Sequence, residues 1–237
     1  AVSATIKGID GSNTSTTPPA FLTAPKFPEY WVRWDYEEEG RQQFRIARDQ
    51  EIGELRTWWI REMLSTPNPQ AERLILLWHN HFVTSYSGVQ EEVHAIARQH
   101  WTFRELGHTN FRDLTRALVR DAAMLNYLDN DRSRKEQPNE NFARELMELF
   151  VLGEGNYTEQ TVKEVARALT GFSYNNLKHF EFEFKPWDHD QGVKNVFGKR
   201  GRFNGEDIVS ILLAQPAAAE FIAGKFWNVY ISDFNED

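Results

Sequence analysis

The stretch Pro138–Tyr174, PNENFARELMELFVLGEGNYTEQTVKEVARALTGFSY, constrains this chain most. Its apolar residues recur with the period of an α-helix, stop at a glycine pair, and resume. Asn139 is placed to cap the first helix, because its side-chain oxygen can accept from a free first-turn N–H. Glu140 then suits the positive end of the helix dipole. Phe142, Leu146, Leu149 and Phe150 form the expected core face. Gly153 or Gly155 supplies the left-handed residue that ends the helix. Thr158 caps a second helix with the stripe Val162, Val165, Ala166 and Leu169, and Gly171 ends it. An amphipathic hairpin needs further helices to cover its apolar faces, so the expected fold is mainly α, a multi-helix bundle or array.

The rest of the chain agrees with that expectation, with one insertion. Residues 1–28 are rich in Ser, Thr, Pro and Gly and read as an extended or partly disordered arm. Phe21, Leu22 and Phe27 could lie along the body, and Tyr30, Trp31 and Trp34 read as an aromatic plug on the core. Residues 29–237 read as one helical domain. Helical periods are expected at about 41–64, 70–82, 91–106, 111–120, 121–128, 207–214 and from Pro216 onward. The segment Ser65-Thr-Pro-Asn-Pro69 is a turn. Residues 179–185 alternate strictly, HFEFEFK, which is the pattern of a half-buried strand. Residues 193–197 are its expected partner, giving one small β-hairpin at about 179–197. The long connection Pro186–Gly192 is a loop of the kind that carries function.

Composition limits the function classes. The formal net charge of −8, with no Lys/Arg-rich run, argues against a dedicated nucleic-acid binder. There is no Cys, which excludes disulfides and thiolate metal sites. No apolar run is long enough to span a bilayer. No signal peptide stands at the start, and because the chain begins with Ala rather than Met this leaves the compartment open. The 8 Trp and 17 Phe fit a thick core, and also a ligand groove. Walker, dinucleotide, HExxH and Gly-x-Ser-x-Gly motifs are absent.

The polar residues allow two readings. Glu145 and Glu148 stand at i, i+3 and can act together. With His79 or His81, and with His189, they make a candidate site for a divalent metal such as Zn, Mn or Fe. Water activated there would make a hydrolase, with Glu145, Glu148 and His189 as candidate catalytic groups. His79 and His81 are roughly 200° apart if the helix persists through both, so they could share a metal only if it unwinds near Asn80. The other reading is structural. Arg144 can pair with Glu140 or Glu148, and Asn141, Arg144 and Glu145 can hold the hairpin to its neighbours. Asn139, Asn141, Arg144, Asp190 and Lys194 are candidate binding residues, although Asp190 can equally fix its own turn. His81, beside Trp78 and Leu77, reads as a hydrogen-bonded core histidine.

The motifs TPNP…LLWHNHFVTS, NFRDL…RDAAMLNYLDN, PNENFARELMELFVLGEGNYTEQTVKEVARALTGF and HDQGVKNVFG occur in that order. Together they closely resemble the DUF 1800 family, a bacterial family named only as a domain of unknown function. The resemblance runs from roughly Thr57 to Phe226 and brings no established activity. It implies a mostly helical, exported protein in the periplasm or at the cell surface. It also implies a partner of the exported DUF 1501 type, since genes of the two families are often neighbours. Ala122 stands where the family often has Pro, which softens a helix start. The C-terminal part of longer members is missing, so a site completed by that part would be lacking. Two functions are therefore expected as alternatives: a non-enzymatic module that binds a partner or polymer in an exported assembly, or a metal-assisted hydrolase.

Overall fold

The computed structural model describes residues 14–23, 38–175 and 180–231. Phe27, Tyr30, Trp31 and Trp34, and the start of the alternating strand at His179, lie outside the described residues. The structure is mainly α with small β elements. It divides into two compact units, Ala1–Tyr127 with Tyr174–Phe182, and Leu128–Ser173 with Glu183–Asp237.

The first unit holds the helical turn α1 (Ala20–Thr23) and helices α2 (Glu38–Ser65), α3 (Pro69–His81), α4 (Val93–Leu106), α5 (Phe111–Leu118) and α6 (Ala122–Tyr127). Helix α2 runs through Gly53 without a break. Pro69 starts α3 in the first turn, where its missing N–H costs nothing. Asn110 caps α5 by accepting from the Asp113 amide. Asp121 caps α6 by accepting from the Met124 amide at 2.9 Å, with Ala122 as the first residue of the helix. One cluster of buried residues joins Phe21, Ile52, Leu55, Trp58, Val93 and Ala97. A second joins Val89, Ala95, Ala122, Ala123 and Phe180.

The second unit is built on the opening hairpin. Helix α7 (Glu140–Glu145) passes into a π-helical segment (Leu146–Val151) and α8 (Glu159–Leu169) follows. Asn139 and Thr158 cap as expected, accepting from the Asn141 and Thr161 amides. The π segment is a departure from the expected regular helix. Its wider turn moves the side chains that follow around the axis. Leu149, expected in the core, is 51% exposed, while Phe142, Leu146, Met147 and Phe150 are buried. Helices α9 (Gly205–Leu212) and α10 (Pro216–Tyr230) complete the unit. A full capping box between Asn204 and Asp207 starts α9. No single helix among the described residues is long and apolar enough to cross a membrane. Helices α9 and α10 reach that length only together, and they are bent by 77°.

The β elements pair differently from the sequence expectation. Strands β1 (Phe172–Asn175) and β2 (Glu181–Phe184) pair with each other, and β3 (Lys194–Val196) pairs with β4 (Lys199–Gly201). The β3–β4 register, Lys194 opposite Gly201 and Val196 opposite Lys199, leaves a two-residue turn. Phe197 and Gly198 both have positive φ there, +49° and +76°, which suits the twist of a tight hairpin. That local turn outcompetes the long 186–192 connection as a hairpin closure.

Candidate functional site

In the first unit, a chain of buried polar groups links α2, α3 and α4. Glu72 and Arg104 form an ion pair at 2.8 Å and both are buried. The Trp59 indole N–H donates to the same Glu72 Oε2 at 2.8 Å. Arg104 Nε donates to His100 Nε2 at 2.9 Å, and His100 Nδ1 lies 2.9 Å from His79 Nε2. A guanidinium only donates, so His100 Nε2 must accept. The His100 proton therefore sits on Nδ1 and is given to His79 Nε2, which leaves the His79 proton on Nδ1. The Arg104 guanidinium also lies 5.0 Å from the Trp58 ring.

This arrangement holds both imidazoles neutral. Burial, then the charge of Arg104, pushes His79 down to about 4. Burial, then His79 and Arg104, pushes His100 well below the ordinary imidazole range. Protonating either ring would remove an acceptor nitrogen beside a fixed positive charge. His81 belongs to a different environment. Helix α3 continues through His81, so the two rings point apart, as an unbroken helix requires. His79 meets Trp59 and Phe103, while His81 meets Trp78, Phe82 and Phe111. The unbroken helix keeps them from ligating one metal.

In the second unit, the polar face of the hairpin makes bonds inside its own fold. Arg144 pairs with Glu159 through two bonds of 2.7 and 2.8 Å, while Glu140 stands at 3.8 Å. The expected partner Glu148 instead accepts from the Tyr157 hydroxyl. Burial and that bond push Tyr157 up to about 12, and Glu159 holds Arg144 above its usual range. Glu145 is half-buried, and burial followed by the charge of Glu148 raises its carboxyl. Asn139 donates to the Leu128 and Asp129 carbonyls, fixing Asp129 in its left-handed conformation. The Asn141 side chain is exposed, and its amide serves the Asn139 cap.

The 186–192 loop is clasped onto α8. Arg167 bonds both oxygens of Asp190, at 2.7 and 3.2 Å, and holds that carboxyl below its usual range. His189 Nδ1 lies 2.8 Å from the Thr170 carbonyl, which can only accept, so Nδ1 carries the proton. Burial lowers His189 as well. Lys194 is fully buried and donates to the Asp190 and Gly192 carbonyls, at 2.6 and 3.2 Å. Burial pulls its ammonium below the usual lysine range. Around this clasp stand exposed apolar side chains, Phe184, Trp187 and Val193.

Among the described residues, no group of three or more His, Asp or Glu side chains is placed to hold a metal ion. The sequence marks His79, and the fold adds Glu72, His100 and Arg104 to it. Two signals were available: Glu72 falls on the His79 side of the apolar helix, and His100 and Arg104 stand at i, i+4.

A mainly α chain with small β elements and two internally tied units is the class this architecture defines. Residues 5–237 match the family described as "Protein of unknown function (DUF1800)", and the chain belongs to it. The match extends beyond the Thr57–Phe226 stretch that carries the sequence motifs. No curated protein and no solved structure matches the chain.

Proposed function

We propose that this chain is a helical binding module of an exported bacterial assembly and that it takes a partner of the DUF 1501 type. The observation that carries the reading is Trp187. Its loop is tied at each end: the Lys185 amide to the Gly171 carbonyl at 2.8 Å, the Lys135 amide to the Asp188 carbonyl at 2.7 Å, and the Asp190 amide to Thr170 Oγ1 at 2.8 Å. Between these ties Trp187 is 65% exposed, and Phe184 and Val193 of the same stretch of chain are exposed as well. A rigid loop presenting a bare indole is what a binding hot spot needs, because Trp combines large apolar area with little ordering cost. The intramolecular bonds of Arg144, Glu148, Asp190 and Lys194 occupy those side chains within the fold, which leaves the exposed Trp187 as the binding group. Export and the partner class follow from the family resemblance.

The test is direct binding of the purified chain to a DUF 1501-type protein, by calorimetry. Saturable binding is expected. Trp187→Ala should weaken it by about 30-fold, the effect of a hot spot worth roughly 2 kcal/mol, with no change in Tm. Absence of binding, or binding indifferent to Trp187→Ala, would sink the reading. Binding of a polysaccharide at Trp187 instead would redirect it to a polymer.

A further inference from the structure

The first unit carries a second binding feature, independent of Trp187. A groove of about 730 Å3 lies between residues 16–19 and the middle of α2, within the size range of ligand sites. One wall is held in place by Glu62. The Ser15 amide donates to Glu62 Oε1 at 2.8 Å, and Ser15 Oγ, the Thr16 amide and Thr16 Oγ1 donate to Oε2 at 3.0, 2.8 and 2.7 Å. The Trp58 indole N–H adds a longer bond of 3.4 Å to the Thr16 carbonyl. The wall is therefore formed before any ligand arrives.

Gly53 lines the groove at the middle of a 28-residue helix. Glycine in a helix interior destabilises it relative to alanine. Among the described residues nothing requires it: a Cβ at Gly53 would meet none of their atoms within 4 Å, and its φ is not in the left-handed region. What a bare position does provide is close approach for another backbone. Glu54 and Arg61 stand to either side of Thr57 on the same wall. Both are exposed, and neither forms an ion pair among the described residues. Seven residues on a helix return to nearly the same face and rise about 10.5 Å. An extended chain advances about 3.3 Å per residue, so three residues span that distance.

We propose that this groove binds an extended peptide segment carrying a basic and an acidic side chain three residues apart, the base at Glu54 and the acid at Arg61. Its main chain runs over Gly53, and Gln50 and Thr57 supply side-chain partners for its amides. The groove's opposite charges separated along one line favour such a dipolar strand over a compact anion, which would need converging donors.

The test uses the full chain and labelled hexapeptides containing Lys-Ala-Ala-Asp or Asp-Ala-Ala-Lys, read by fluorescence anisotropy. The amide shift of Gly53 and the indole shift of Trp58 locate the site by NMR. At least one of the two orders should bind, shifting both signals, and a Lys-Ala-Ala-Lys control should bind about tenfold more weakly. Gly53→Ala should raise Tm yet weaken binding about tenfold, a combination that misfolding cannot produce. Glu54→Lys should lose the dipolar peptide and gain an Asp-Ala-Ala-Asp peptide. The proposal falls if neither dipolar peptide shifts Gly53 at millimolar concentration, if Gly53→Ala binds as the parent does, or if a neutral oligosaccharide shifts the same signals instead. None of these readouts depends on Trp187 or on the DUF 1501-type partner.

Discussion

The buried residues make opposing demands on pH. His79 has a folded-state value of about 4 against an ordinary 6.5. Below 6.5 the unfolded chain binds the proton and the folded one does not. Its contribution is therefore complete above pH 6.5 and is lost as pH falls from 6.5 towards 4, by about 3 kcal/mol. Asp121 runs the other way. Burial raises it to about 6 from 3.8, so the folded state takes up its proton first. It penalises folding fully above pH 6, and that penalty is relieved as pH falls to 3.8, again by about 3 kcal/mol. The two terms nearly cancel between pH 6 and 4. Asp121→Asn keeps the oxygen that accepts from Gln99 and Met124 but cannot titrate. Urea midpoints at pH 7, 6, 5 and 4 should fall much more steeply in this variant than in the parent. Parallel profiles would refute the assignment. These partners were only partly legible in sequence. Caps and core stripes depend on neighbours in the chain and were readable at Asn139 and Thr158. The partner of Arg144 was not, because Glu159 reaches it from the next helix, after a turn.

At the level of elements, the glycines show which positions are set by backbone and which also by packing. Gly155 and Gly171 have nearly the same φ, +79° and +77°. A Cβ at Gly155 would meet nothing within 4 Å, whereas one at Gly171 would come within 2.5 Å of the Lys185 carbonyl oxygen. Gly155→Ala should therefore cost only the left-handed conformation, about 1 kcal/mol. Gly171→Ala should cost about 3 kcal/mol or more, since it also pushes β2 and the clasped loop away. Denaturant midpoints of the two variants check this, and equal losses would refute it. Helix existence was legible because period and caps are local signals. The π segment was not, because one extra residue in a turn leaves the apolar count unchanged while rotating Leu149 into solvent. Strand partners were also hidden. Alternation marks a strand but says nothing of what it pairs with, and the Phe197-Gly198 turn captured β3 first.

At the scale of the molecule, each compact unit has its own polar tie: the buried Glu72–Arg104 pair in one, and the half-buried Arg167–Asp190 pair with buried Lys194 in the other. The candidate residues named from sequence fall on both sides of that division, which no motif marks, since the chain crosses it after Tyr127, within β1 and within β2. Removing Arg104 as Arg104→Ala would leave the buried Glu72 carboxylate with only the Trp59 indole among the described residues, a loss of about 3–5 kcal/mol. Replacing both partners with apolar residues of similar volume should cost far less, because a buried pair contributes little beyond its own desolvation. Native-state hydrogen exchange separates local from global effects. In Arg104→Ala, amides of α3 and α4 should lose protection by most of that amount, while those of α8 lose little. In Arg167→Ala the order should reverse, with α8 and the Asp190 amide exchanging faster. Equal loss in both units from either variant would mean that the two ties stabilise a single cooperative fold rather than one unit each.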